Sequence, residues 1–83
     1  MAKPDHYSIV AVLTELLRDT LEQPREITAD TALISDLGLE SIQVIEYLCE
    51  VEDRFDLAID EDKLADVRTV GDLAEVVRAL LKD

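Results

Sequence analysis

Apart from its carboxylates, this 83-residue chain holds few side chains that could do chemistry. It has one histidine, His6, one cysteine, Cys49, and a serine, Ser41, that follows the turn-like run Leu37-Gly38-Leu39-Glu40. Nucleophilic catalysis asks for an activated Ser or Cys, a base and a group that orients the base. His6 lies near the N-terminus, and nothing in the sequence brings it to Ser41 or Cys49. A zinc site wants clusters of Cys and His, and one of each is too few. A calcium loop counted from Asp60 puts Ala65 where Gly is needed at the sixth position and Gly71 where Glu is needed at the twelfth. The twenty Asp and Glu residues supply many carboxylate pairs, but acid–base catalysis needs a cleft, which a chain this small rarely forms. The expectation is a protein that is not an enzyme, with no catalytic residues and no metal.

Ser41 admits two readings. As an N-cap it would only satisfy backbone N–H groups at the start of a helix. As an attachment point it has three advantages. A helix N-terminus favours a phosphate through its free N–H groups and its dipole. The long loop before it can leave the hydroxyl exposed. Glu40 and Glu46 beside it could steer a basic modifying enzyme. Residue types alone do not separate the two.

The elements that must position Ser41 follow from periodicity. Ile9, Val12, Leu13, Leu16 and Leu17 recur at spacings of three and four, which predicts a helix from His6 to Leu21 with Asp5 as N-cap and Pro24 beyond its end. From Gln23 to Glu40 no helical period persists. A loop of that length in a compact domain is pinned or functional, and Ile27, Leu33 and Leu37 are the expected pins, with a short helical turn between Asp30 and Leu37. A second helix is expected from Ser41 to Phe55. Its inward stripe reads Ile42, Ile45, Leu48, Val51 and Phe55 with Glu52 as a polar break, and its outward positions read Gln43, Glu46, Tyr47, Glu50 and Asp53. Gly38 gives the chain freedom to turn into it, and Asp56 ends it. Asp60 to Val67 predicts a short helical turn with Leu64 and Val67 inward. Thr69 and Asp72 resemble a capping box for a last helix striped by Val70, Leu73, Val77, Leu80 and Leu81. No segment reads as a strand. The fold class is all-α: a small four-helix bundle of three longer helices and one short one, with a long loop between helices 1 and 2, forming a single domain over residues 1–83. Tyr7, Tyr47 and Phe55 are the only aromatics, so an aliphatic core is expected.

Composition limits the partners. Eight Lys and Arg against twenty Asp and Glu leave a net charge of −12. That argues against contact with nucleic acid phosphates and against anionic membranes, and it favours partners with basic surfaces. At 48% hydrophobic residues the chain is too aliphatic for disorder, and one cysteine allows no internal disulfide. With no apolar leader and no apolar run of spanning length, a cytoplasmic, monomeric, free-standing protein is expected. Cys49 is expected to be a half-buried small hydrophobe.

Asp36-Leu37-Gly38-Leu39-Glu40-Ser41-Ile42 resembles the signature of the acyl carrier and peptidyl carrier family, whose usual form is Asp-x-Gly-x-Asp-Ser-Leu. The likeness runs along nearly the whole chain, through Ile27-Thr28-Ala29-Asp30-Thr31, the Ser-led helix closing on Glu52-Asp53-Arg54-Phe55, and Asp60, Leu64, Thr69-Val70 and Asp72-Leu73. A heptapeptide alone is a weak signal; inside this layout, length and charge it is a strong one. Glu40 replaces the usual Asp and Ile42 the usual Leu, and Gln43 stands where fatty-acid carriers often have an acid.

The resemblance implies 4′-phosphopantetheine on Ser41, placed there from coenzyme A by a separate phosphopantetheinyl transferase that holds Mg²⁺ itself. Acyl, polyketide or aminoacyl cargo would then be held as a thioester and delivered to partner enzymes: an acyl-loading ligase or acyltransferase, a ketosynthase, or other basic-surfaced biosynthetic enzymes. The departures point to a specialised polyketide or nonribosomal peptide pathway. Glu40, Glu46, Glu50 and Asp53, with Tyr47, are the expected docking residues. Leu39, Ile42 and Ile59 are candidate contacts for the arm or a partner, with Ile42 the best placed of the three to be core. The alternative is an acidic helical adapter or nucleic-acid mimic with no cofactor, in which Ser41 is only a cap.

Overall fold

The computed structural model describes residues 5–21 and 26–81, with the side chain of Glu61 left aside. Four helices follow in order: α1 (His6–Thr20), α2 (Ser41–Phe55), α3 (Glu61–Leu64) and α4 (Val70–Leu80). The expected all-α bundle of three longer helices and one short one is what the chain forms. The first helix closes with Leu21 as its C-cap, where its end was expected, and Pro24 lies outside the described residues.

Each of the longer helices begins where a side chain can take up free backbone groups. Asp5 accepts from the backbone N–H of Ser8 at 2.8 Å, and that bond holds its carboxyl below the usual carboxylate range. Thr69 accepts from Asp72 N–H at 3.1 Å while the Asp72 carboxylate accepts from Thr69 N–H at 3.2 Å, a reciprocal capping box at the start of α4. The end of α2 is set by Asp56, the one non-glycine residue with positive φ among those described (52°).

The core is built from Ile9, Leu13 and Leu17 of α1, Tyr47 and Val51 of α2, and Val70, Leu73, Ala74 and Val77 of α4, all fully buried. Burying one such large aliphatic side chain contributes about 1.5–3 kcal/mol. α1 packs against both α2 and α4, and α3 rests on α4. The apolar stripes expected for α1 and α4 face this core except at Val12 and Leu80, which do not pack against it, and Thr14 and Ala74 join them as close-packing small residues.

The stripe expected for α2 holds at Leu48, Val51 and Phe55 and fails over the first two turns. Ile42 and Ile45 are 62% and 60% exposed, whereas Tyr47, expected outward, is fully buried. The inward face runs through Val44, Tyr47, Leu48, Val51 and Phe55. Tyr47 is amphipathic: its ring fills the gap between α1 and α2, and its hydroxyl donates to the Leu13 carbonyl at 3.0 Å. The core is therefore aliphatic around one tyrosine.

The loop between α1 and α2 is pinned as expected by Ile27, Leu33 and Leu37, with Leu39 as a further buried side chain. A helical turn lies where one was expected, closed by Asp36 N–H to Ala32 O and Gly38 N–H to Ile34 O. The backbone pairing is not visible in the sequence. Leu33 N–H donates to Arg68 O (2.9 Å), Val70 N–H to Thr31 O (3.0 Å) and Gly71 N–H to Ala29 O (2.8 Å). These bonds stitch the loop to the α3–α4 connection and so satisfy backbone groups that would otherwise be orphaned.

Candidate functional site

Ser41 is the first residue of α2 and is exposed. The chain reaches it through Gly38, whose φ of +67° turns the backbone in a way that other residues adopt only with strain. The N-cap is Glu40 rather than Ser41: Glu40 N–H donates to Gln43 Oε1 at 2.9 Å. The reading of Ser41 as an N-cap is thus corrected by one position. Among the described residues its hydroxyl has no hydrogen-bond partner, so the fold makes no use of it.

Around Ser41 the surface is acidic with an apolar stripe. Glu40, Glu46, Glu50 and Asp53 are all exposed. Ile42 and Ile45, with exposed Cys49, run beside them at spacings of three and four. Cys49 is not the half-buried hydrophobe expected; it shares the solvent face that Ile42 and Ile45 occupy. Two of the expected contacts lie elsewhere. Tyr47 is sealed in the core, where burial, with Glu50 nearby, pushes its phenol well above its ordinary pKa of 10.0, so it cannot meet a partner. Leu39 is also buried and serves as a loop pin. Ile59 is half-buried in the loop after α2, and its N–H donates to Glu52 Oε2 at 2.8 Å. Glu52, the polar break in the expected stripe, therefore fixes the α2–α3 loop.

On the other flank of α2 lies a cavity of about 310 Å³. Val44 and Leu48 form its α2 wall, at spacings of three and seven from Ser41 and so on the same helix face. Leu64 and Val67 close it from α3 and the turn that follows, and Leu33 and Ile34 from the loop. Two polar residues, Ser35 and Arg68, also line it. Sequence reasoning missed this cavity, because it depends on how α3 stands off from α2 and not on any local pattern.

No cluster of three or more His, Cys, Asp or Glu suited to a metal ion exists among the described residues. His6, the only imidazole, has its Nδ1 3.2 Å from Glu75 Oε1 at the α1–α4 contact. No helix among the described residues is long and apolar enough to cross a membrane. What the arrangement offers is a free, exposed hydroxyl at the start of a helix, an acidic helix face and an adjacent apolar cavity. A covalently attached phosphate-bearing arm fits such a hydroxyl.

Residues 11–77 match the family model described as the phosphopantetheine attachment site. The chain is 38% identical over 73 residues to the acyl carrier protein MbtL of Mycobacterium sp. strain MCS, covering 87% of this chain and 82% of that one. It is 32% identical over 73 residues to the meromycolate extension acyl carrier protein of Mycolicibacterium aurum, covering 87% and 75%. A solved structure described as an acyl carrier protein from Mycobacterium tuberculosis superposes with a TM-score of 0.79 at 31% identity, covering 86% of this chain and 96% of that one.

Proposed function

The chain belongs to the phosphopantetheine-bearing acyl carrier family, and from that premise we propose that Ser41 is its attachment residue, that a separate transferase loads it, and that the exposed face of α2 docks its partners. The observation that carries the reading is the Ser41 hydroxyl itself, exposed at the start of α2 and free of any structural duty.

In the loading step Ser41 Oγ attacks the phosphorus of coenzyme A that carries the pantetheine. The Oγ–P bond forms, the pyrophosphate P–O bond breaks, and adenosine 3′,5′-bisphosphate leaves. The serine proton passes to a base of the transferase, which agrees with the absence of any imidazole at Ser41. When attached, the group supplies a thiol that holds acyl cargo as a thioester. The chain itself contributes presentation: Gly38 and the Glu40–Gln43 bond fix the start of α2, so that the hydroxyl faces outward. Tethering raises the effective concentration of cargo at any docked enzyme.

Glu40, Glu46, Glu50 and Asp53 suit a basic partner surface, and Ile42 and Ile45 suit an apolar centre within it. The transferase, an acyl-loading ligase or acyltransferase, and a ketosynthase would share this face in turn. Ile59 stands beside that role as a half-buried loop residue open to partial contact. The meromycolate extension carrier among the relatives supports a specialised pathway over housekeeping fatty-acid synthesis. Residues 1–83 act as one carrier domain in this reading.

The test is an intact mass after incubation with coenzyme A, Mg²⁺ and a broad-specificity phosphopantetheinyl transferase. Wild type gains one phosphopantetheine and Ser41→Ala gains none. Equal gain by both would move the attachment elsewhere, and no gain by folded wild type with a working transferase would overturn the reading.

A further inference from the structure

The cavity beside Ser41 is apolar on nearly every side, and one feature of its wall does not fit an alkyl chain. Arg68 lines it. The chain has twenty carboxylates against eight Lys and Arg, so a guanidinium here would ordinarily find an acid. Yet no ion pair or hydrogen bond engages the Arg68 side chain among the described residues. The Asp72 carboxylate feels its charge, but more weakly than it feels its own backbone hydrogen bonds. The Arg68 backbone is fully used instead: its carbonyl accepts from Leu33 N–H at 2.9 Å and its N–H donates to Asp72 Oδ2 at 3.1 Å. Those two bonds fix where the side chain starts, on the wall opposite α2. Arg lays its aliphatic stem on apolar surface and keeps its charged head at the solvent edge. The second polar lining residue, Ser35, is also exposed, and its hydroxyl likewise has no partner among the described residues.

The rest of the wall gives the geometry. Ser41, Val44 and Leu48 share one face of α2, with Leu48 about 10 Å along the helix axis from Ser41. A tethered chain folding back from Ser41 meets Val44 first and then Leu48, with Leu64 and Val67 opposite. The core on the α1 side offers no continuation, because Tyr47, Val51 and Leu13 are fully buried and the Tyr47 hydroxyl is bonded across the gap. Cargo is thus confined between α2, α3 and the loop, where Arg68 is the one cation among the lining residues.

We infer that this cavity selects acyl cargo bearing a carboxylate at its far end over a plain alkyl chain of the same length, with Arg68 as the residue that recognises the carboxylate. Arg is the side chain best suited to that role, since its planar fork pairs with a carboxylate through two parallel N–H groups. Ser35 would add one hydroxyl donor. The inference rests on the proposed attachment at Ser41.

The experiment compares two loaded forms of the full chain, made by the transferase from hexanoyl coenzyme A and from its counterpart with a terminal carboxylate, adipoyl coenzyme A. Intact mass first confirms one arm on Ser41 in each; failure at that step overturns the attachment reading and not the recognition by Arg68. Thermal melting is then measured at low salt. The adipoyl form melts a few degrees above the hexanoyl form in wild type, the gap disappears in Arg68→Met, which keeps the stem, and Arg68→Lys retains part of it. Equal melting of the two wild-type forms, a higher-melting hexanoyl form, or a gap that survives in Arg68→Met would each overturn the proposal.

Discussion

The Tyr47 hydroxyl donates to the backbone carbonyl of Leu13 at 3.0 Å, across the fully buried seam between α2 and α1. A residue on the same helix as the exposed Ser41 is thereby locked to the opposite wall of the core. The bond fixes the rotation of α2 about its axis, and with it which residues face partners. Tyr47→Phe keeps the ring and loses the bond, at a cost of about 1 kcal/mol. Urea unfolding at neutral pH checks this; an unchanged midpoint would show that the bond contributes nothing net.

The same tyrosine governs the alkaline limb. Burial raises its folded pKa above the ordinary phenol value of 10.0, so the folded chain keeps a proton that the unfolded chain releases. That contribution is fully present below about pH 10 and is lost as pH rises above it. Wild-type stability therefore falls between pH 9 and about pH 11 more steeply than that of Tyr47→Phe. Parallel unfolding titrations of the two proteins over that range measure the difference, and identical slopes would contradict it.

This tyrosine also shows how far the sequence could be read. The helices, the capping box at Thr69 and Asp72, the turn at Gly38 and the loop pins at Ile27, Leu33 and Leu37 follow from local signals: spacing, side-chain oxygen and glycine. The phase of the first two turns of α2 does not. Ile42 and Ile45 read as core because hydrophobicity is the only local clue, and Tyr47 read as surface because its hydroxyl is polar. The Leu13 carbonyl that satisfies that hydroxyl lies 34 residues away. Exposed isoleucines beside Ser41 make sense as a contact surface, which a burial pattern cannot announce. The cavity was invisible for the same reason, since it arises from the standoff between α3 and α2.

Asp72, like Asp5, contributes to the acid limb. The backbone N–H groups of Arg68 and Thr69 hold its carboxyl below the ordinary 3.8. A depressed folded pKa contributes stability that is present above the unfolded pKa and lost as pH falls through the folded one. Asp72→Ala removes the contribution, so its stability depends less on pH than wild type below about pH 4. Thr69→Ala removes the other half of the box and costs about 1 kcal/mol at neutral pH. Melting curves from pH 6 down to roughly pH 3 test both; parallel curves for wild type and Asp72→Ala would refute the first.

Gly71 is held where a side chain does not fit. A Cβ there would stand 3.0 Å from Ala29 O, the same carbonyl that accepts the Gly71 N–H at 2.8 Å. In a helix Ala is ordinarily favoured over Gly by about 1 kcal/mol. Here the Cβ would push against the backbone of the loop that leads to Ser41, and the hydrogen bond resists its retreat. Gly71→Ala destabilises the fold, and amide exchange at Gly71 and Val70 speeds up. A stabilised variant would show that the loop yields freely.

The docking proposed above rests on the exposed α2 face. Glu46 lies one turn beyond Ser41 and is exposed, with Ile42 and Ile45 beside it. Exposed charges steer encounters more than they hold complexes, so their effect lies in the on-rate and is screened by salt. Glu46→Lys slows loading by the transferase several-fold at low ionic strength while melting like wild type, because the side chain takes no part in the core. Near 1 M salt, where the screening length is about 3 Å, the two proteins load at similar rates. Ile45→Ser makes the opposite signature: the apolar contact acts at short range, so loading weakens at every salt concentration. Loading time courses for the two variants across a salt series separate the contributions. Unchanged low-salt kinetics in Glu46→Lys would place the transferase on another face of the carrier.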